Sequence, residues 1–361
     1  MGINLRLRLY RTRNGILLKS NDIGILMDPG GIGTISEKFD VILISHAHSD
    51  HVSGINKSIV NKDIKLVMSK ETYSMLNIQG KISDSKRIIL MKPGDKVIIK
   101  GVEITAKDAG HVPGSLQFEI DLGKLKITYT GDLNVEGSNI TKPADIPDAD
   151  ILVIDTTYGH PYYIFPPRKK IYEETIKLIK DNIENKTIVL HGYPFGKAQE
   201  LTKLVFDYTN QVPKVTEKIA QINRIVEKSS NIRLGKYSIK DGNRIEIRSM
   251  RSKGKIEGSN KIHLFFTGWA MRSNFKSGFG IPLSSHSSFI KLLEFVAKVQ
   301  PEKVFTIFGY ERSFAEFLRD ELEIPSKGLP FSDDGKNLIL KQRKGKKVTL
   351  DFYNEDNLEV L

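Results

Sequence analysis

The chain has 361 residues, 39% hydrophobic and 27% charged, with a formal net charge of +12 and no cysteine. That length builds one large domain or two ordinary ones, and the lack of cysteine excludes disulfides and thiolate metal ligands, leaving His, Asp and Glu to hold any cation. No stretch approaches the ~20 apolar residues of a membrane span, and the first residues lead into charge rather than a signal-peptide apolar region, so a soluble, cytoplasmic protein is expected. Abundant Ile and Lys without Cys resemble the bias of thermophile proteins.

Residues 5–27 alternate apolar and polar positions around Arg13-Asn14-Gly15, which predicts a hairpin leading into Ile25-Leu26-Met27-Asp28; Asp28-Pro29-Gly30 ends that strand. The apolar run Val41-Ile42-Leu43-Ile44 predicts a buried strand, and His46-Ala47-His48-Ser49-Asp50-His51 follows it at once. Alternation puts His46 and His48 on one side of an extended segment, and a turn into a helix brings Asp50 and His51 to a second point nearby. Borderline-soft cations such as zinc take such nitrogen and oxygen ligands. A purely structural role would leave several buried polar groups unpaired.

A strand over 64–68 and a helix over 69–76 capped by Ser69 come next, then strands over 96–99, 102–105, 116–120 and 126–130. Between them, Gly110-His111 falls in a glycine-flanked loop and Gly131-Asp132 just after a strand. A buried strand over 151–155 ends on Asp155, at the carboxyl end where α/β sites collect. Pro161, Pro166 and Pro167 followed by Arg168-Lys169-Lys170 mark a boundary. Helices over 168–183 and 196–208 and strands over 187–190, 244–248 and 262–266 predict a small α/β domain. After Pro282, Ser284-Ser285-His286-Ser287-Ser288 precedes a helix over 289–299, a strand over 304–308 and a helix over 313–322, which resume the strand–helix alternation of 64–76. The expected organisation is a first domain over 1–167, an insert over 168–282, and the first domain completed by 283–361. The insert holds 23 Lys and Arg against 11 Asp and Glu, and the rest of the chain 32 of each. Clustered cations gain affinity for a phosphate backbone by displacing counterions, so the insert reads as a polyanion clamp over a neutral floor; a merely soluble surface is the bland alternative.

Singly, His111, Asp132 and His286 read equally well as a loop residue, an N-cap and a surface histidine. In order, His46-Ala47-His48-Ser49-Asp50-His51, Gly110-His111, Gly131-Asp132 and Ser285-His286 resemble the ligand series of the metallo-β-lactamase fold, across nearly the whole chain. Asp155-Thr156-Thr157-Tyr158, the phosphate-loop-like Gly196-Lys197-Ala198-Gln199-Glu200, Phe266-Thr267-Gly268-Trp269 and Ser285-His286-Ser287-Ser288-Phe289 resemble the β-CASP nucleases of that superfamily. The resemblance implies an α/β protein, a metallo-β-lactamase αββα sandwich with an inserted α/β β-CASP domain, in which Asp155 is motif A and His286 motif B. Where RNA-processing members carry Val-His-Gly, this chain has Ile307-Phe308-Gly309, which looks like the DNA-repair branch that includes Artemis and the cross-link repair nucleases. Gly196-Lys197-Ala198-Gln199-Glu200 points the other way, being similar to the Gly-Arg-Ala-Gln-Glu of the RNA branch.

The resemblance further implies two Zn2+ ions, with Mn2+ or Mg2+ as substitutes: His46, His48 and His111 on one, Asp50, His51 and His286 on the other, and Asp132 bridging. Two such cations activate water and neutralise charge on a phosphate. Asp50, Asp132, Asp155 and His286 form the catalytic set, and Asp28 and Asp155 are expected to orient ligating imidazoles. Lys197 at a helix N-terminus, with Thr267, Arg272, Ser285 and Ser287, is expected to cradle backbone phosphates. Trp269 and Phe266 either stack on a base or pack in the core. His160, His191 and His263 receive no role, although His191 ends a strand and could face the cleft. With Phe308 in place of a histidine, the leaving oxygen must take its proton from elsewhere. The expected function is a nuclease, on DNA ahead of RNA, exo or endo. An RNA-processing nuclease is the alternative; the basic insert argues against a small-molecule hydrolase such as a thioesterase, and the complete ligand set against an inactive binding subunit.

Overall fold

The computed structural model describes residues 7–20, 23–31, 38–55, 64–83, 86–250, 260–275 and 278–331. Residues 5 and 6 of the expected hairpin and 332–361 of the expected C-terminal segment lie outside that set.

β1 (Arg8–Thr12) and β2 (Gly15–Lys19) pair antiparallel across Arg13-Asn14, and β2 pairs with β3 (Gly24–Met27). From β3 the sheet continues in parallel through β4 (Val41–Leu43), β5 (Lys65–Met68) and β6 (Ile88–Leu90). β3 and β4 read as continuous apolar runs because both of their faces are covered. With a side-chain period of two, Ile25, Met27, Val41 and Leu43 enter the core between two sheets, while Leu26, Ile42 and Ile44 pack with Val52 of α1 (Ser49–Val52) and Leu76 of α2 (Lys70–Ile78). Ser69 caps α2, its hydroxyl accepting from Thr72 N.

β7 (Lys96–Ile99), β8 (Val102–Asp108), β9 (Leu116–Asp121) and β10 (Lys126–Tyr129) run antiparallel, and β11 (Ile151–Asp155) joins β10 in parallel. The chain then builds a separate parallel sheet. Its elements are α3 (Arg168–Asn182), β12 (Thr187–Gly192), α4 (Lys197–Thr209), β13 (Lys214–Val215), α5 (Glu217–Ser230), β14 (Ile245–Ser249), β15 (Lys261–Phe266) and β16 (Phe279–Ile281), with strand order β13-β14-β12-β15-β16. α5 was absent from the expected elements, although Ile219, Ile222, Asn223 and Val226 are buried at helical spacing and Thr216 caps it. α6 (Phe289–Val299), β17 (Lys303–Ile307), α7 (Glu311–Asp320) and β18 (Ser326–Gly328) return to the second sheet, where β17 lies parallel beside β11.

Two sheets therefore face each other, with α1 and α2 outside one and α6 and α7 outside the other, an αββα sandwich. The third sheet has its own core, in which Leu190, Leu204, Ile247 and Leu264 are fully buried. A further apolar cluster joins the two parts: Ala47, Met75 and Val112 pack with Phe195, Ile222 and Val226. Each large aliphatic side chain so buried contributes about 1.5–3 kcal/mol. Among the described residues no helix is long and apolar enough to cross a membrane. The expected strand over 304–308 ends at Ile307, and Phe308 takes the left-handed conformation at φ 64°.

Candidate metal centre

Asp28, His46, His111 and Asp132 follow the carboxyl ends of strands in the two facing sheets, Asp155 is the last residue of β11, and His286 arrives on the segment from β16 to α6. At Gly30 a Cβ would stand 1.4 Å from Asp50 O, so only glycine lets the Asp28 loop lie against the His-Asp loop.

Four imidazoles converge on one carboxylate, and a fifth, His48, stands against two of them. Asp132 Oδ2 is 3.4 Å from His46 Nε2, 3.4 Å from His111 Nε2 and 3.8 Å from His286 Nε2, and its Oδ1 is 3.2 Å from His51 Nε2. Each ring is held by its other nitrogen. His51 Nδ1 donates to Asp28 Oδ2 (2.8 Å), His286 Nδ1 to Asp155 Oδ2 (2.8 Å), His111 Nδ1 to Ser285 O (2.8 Å) and His48 Nε2 to Phe195 O (3.1 Å). His46 Nδ1 donates to Ser45 Oγ (3.0 Å), whose hydroxyl donates to Asp28. Carbonyls and carboxylates only accept, so these contacts fix which nitrogen of each ring donates outward and aim the other inward, as a lone pair on His46, His48 and His111.

Those lone pairs crowd one another. His48 Nδ1 lies 2.9 Å from His46 Nε2 and 3.2 Å from His111 Nε2. Burial pushes His48 down to about 3 and His111 well below its ordinary value, so neither relieves the contact with a proton. Burial also opposes charge on His51 and His286, but Asp132 and Asp28 hold the first well above its ordinary value, and Asp155 and Asp132 raise the second. Carboxylates that favour a proton at those nitrogens favour a cation there as well. Ligand atoms of His46, His48, His111 and Asp132 all lie within 4.8 Å of one another, as do those of Asp132, Asp155 and His286, and of Asp28, His46 and His51. The donor set fits a divalent metal.

Asp50 sits at the rim, its side chain 79% exposed and its Oδ2 3.8 Å from His51 Nε2. Asp28, with φ 45°, also accepts from Ser45 N and from Tyr129 Oη (2.6 Å). Asp155 accepts from Thr157 N and Oγ1 and from Leu133 N, which orients the carboxylate toward His286. Ser45, Tyr129 and the Phe195 and Ser285 carbonyls were not foreseen; a backbone carbonyl leaves no signature in a sequence.

The expected phosphate cradle is corrected in three places. Lys197 is 2% exposed, its ammonium ion-paired with Glu200, which also binds Arg168 and Tyr172. Thr267 is buried and accepts from Trp269 N, capping a turn of 3-10 helix. Ser287 is buried, donating to Leu133 O and accepting from Val135 N. These groups are occupied within the fold, whereas Arg272 is exposed and Ser285 half-buried. His191 does not face the metal centre: its Nε2 lies 2.8 Å from His263 Nδ1 and its ring stacks on Phe265. Phe266 is fully buried core, and Trp269 is 36% exposed.

Facing sheets with a buried His/Asp metal cluster at their carboxyl edge define an αββα class of metal-binding proteins. Residues 14–186 match the metallo-β-lactamase superfamily. It is 27% identical over 295 residues to a probable DNA ligase of Opitutus terrae, covering 77% of this chain and 27% of that one. It is 29% identical over 205 residues to an RNase J-like protein of Methanocaldococcus jannaschii (52% and 48% covered), and 25% identical over 293 residues to the 5′ exonuclease Apollo of Mus musculus (78% and 53% covered). The chain thus spans about half or less of the length of these relatives. A solved structure of a protein of unknown function from Enterococcus faecalis V583 shares the fold, with a TM-score of 0.64 and 13% identity over 89% of this chain and 97% of that one.

Proposed function

We propose that this chain is a metal-dependent phosphodiester hydrolase that cleaves nucleic acid, DNA ahead of RNA. The observation that carries the reading is the convergence of four imidazole nitrogens on Asp132 with His48 beside two of them, each ring fixed through its second nitrogen. Two zinc ions would be held there, one by His46, His48 and His111 and one by Asp50, His51 and His286, with Asp132 between them; Mn2+ or Mg2+ are substitutes. When bound, such cations supply a nucleophile at neutral pH and neutralise charge on the phosphate under attack. Asp28 and Asp155 act as positioning residues, holding His46, His51 and His286 in the ligating tautomer. Residues 168–282 form the inserted domain whose excess of Lys and Arg holds the polyanion.

Three points favour DNA. Phe308 stands where RNA-processing members carry a histidine, and its ring lies 5.3 Å from that of His51. The likeness of Gly196-Lys197-Ala198-Gln199-Glu200 to the RNA branch loses weight, because Lys197 and Glu200 are buried against each other. The Opitutus terrae relative is named a probable DNA ligase. The RNase J-like relative keeps RNA as the second reading.

Cleavage assays with 5′- and 3′-labelled single-stranded DNA, duplex DNA and RNA, run beside metal analysis, test both. Asp50→Ala and His51→Ala are expected to abolish cleavage while nucleic-acid binding persists. Undiminished hydrolysis by either variant, at unchanged metal content, would sink the two-metal assignment.

A further inference from the structure

A row of aromatic rings leads out of the metal centre. The loop after β11 supplies Tyr158, His160, Tyr162 and Tyr163, the turn after β15 supplies Trp269, and the segment after β17 supplies Tyr310. Tyr158 stands edge-on to His286 at 5.9 Å and packs on Trp269 at 4.8 Å. Trp269 is 6.4 Å from Tyr310, Tyr310 5.3 Å from His160, and His160 4.3 Å from Tyr162. The guanidinium of Arg272 lies 4.4 Å from the centre of the Tyr162 ring.

The inner end of the row is ordinary core, with Tyr158 and Tyr163 nearly buried. The outer end is not: Tyr162 is 57% exposed and Trp269 36%. Nor is Trp269 loosely placed. Thr267 Oγ1 accepts from its backbone N, and a Cβ at Gly268 would meet the Tyr158 ring at 2.5 Å, so the turn is seated directly on that ring. Exposed aromatic rings held in position beside an arginine suit a flat, electron-rich ligand: every nucleobase has a π-face, and stacking is worth roughly 1–3 kcal/mol per base. A base inside a duplex has both faces covered already, so such a surface selects unpaired bases.

We propose that the Trp269–Tyr162 face binds an unpaired nucleobase next to the phosphate under attack, so that the substrate is a single-stranded or frayed strand end. The proposal rests on the nuclease reading above and names the form of nucleic acid that the same site takes.

Oligonucleotides with 2-aminopurine at the 5′ or the 3′ terminus, as single strands and as blunt duplexes, are titrated with the full chain in EDTA, where no strand is cut. Fluorescence of one terminus is expected to be quenched on single strands, and Tyr162→Ala and Trp269→Leu to remove the quench. In metal-loaded protein the same variants should lower kcat/KM on single strands about 10- to 100-fold, through KM, with little change on blunt duplexes; Tyr162→Phe and Trp269→Phe should restore both. Wild-type quench and KM in Tyr162→Ala and Trp269→Leu overturn the proposal, as do equal losses on single strands and blunt duplexes. Tyr162 is exposed, so Tyr162→Ala decides the matter if Trp269→Leu does not fold. Failure of the nuclease reading looks different: metal-loaded wild-type protein then cleaves none of these strands, while the quench in EDTA still decides the stacking.

Discussion

The floor of the sandwich and the sheet built by β12 to β16 handle charge in opposite ways. On the floor Asp28, His46, His51, His111, Asp132 and Asp155 are each at most 5% exposed, and every one is tied to another by a hydrogen bond or an ion pair. The segment from 168 to 282 carries the chain's excess of Lys and Arg, and members such as Lys169 (89% exposed side chain) and Lys177 (79%) stand in water, paired with exposed acids. Buried charge is costly unless its partners are complete, so each floor residue is worth several kcal/mol; an exposed pair is worth at most about 1 kcal/mol and acts chiefly on a distant polyanion. Floor variants should therefore change turnover, and surface variants affinity. Arg168, Lys197 and Glu200 cross that division, forming a floor-like buried ionic cluster inside the basic segment, with Arg168 also donating to Ser284 O two residues before His286.

The largest effect is expected of Asp132→Ala. Losing the carboxylate shared by four imidazoles should lower kcat on the order of 1,000-fold or more, the several kcal/mol that metal assistance supplies, with oligonucleotide affinity largely kept. A variant that binds poorly but turns over normally would break the division. Glu200→Gln comes next. It leaves Lys197 and Arg168 buried without their counter-charge and should destabilise the protein by about 3–5 kcal/mol, read by chemical denaturation. Burial pushes Glu200 upward, but Lys197 and Arg168 outweigh it and hold the carboxyl below its ordinary 4.5. The stabilisation is thus fully present above pH 4.5 and is lost as pH falls through the lowered value, so the gap between wild type and variant should close in acid. A constant gap would show that the ion pair is not its cause. The smallest effect belongs to Arg272→Ala: if Arg272 meets one phosphate, the slope of log K against log salt on single strands should flatten by about 0.7. An unchanged slope would show that Arg272 meets no phosphate.

Much of the fold was legible because its signals are local. The runs at 41–44 and 151–155, the cap at Ser69 and the parallel rhythm after Pro282 all lie within a few residues of the feature they predict. α5 has its apolar residues at helical spacing and a capping Thr216, so its signal is local too, although it lies outside the expected elements. The candidate ligands were legible for a different reason: His and Asp concentrated at strand ends have few other uses. Lys197 was misread because a lysine at a helix N-terminus looks the same in sequence whether it meets phosphate or a buried glutamate one turn on.

By itself, then, the sequence determined the strands, the candidate ligands and the segment that carries the positive charge, all set by hydrophobic period and residue chemistry over short spans. The tertiary structure decided which nitrogen of each histidine faces the centre. His48 is turned by a carbonyl 147 residues away and His111 by one 174 residues away. It also decided that three loops place their aromatic rings in one row beside His286. Hydrogen bonds and ring contacts over such separations depend on chain crossings that no local pattern encodes.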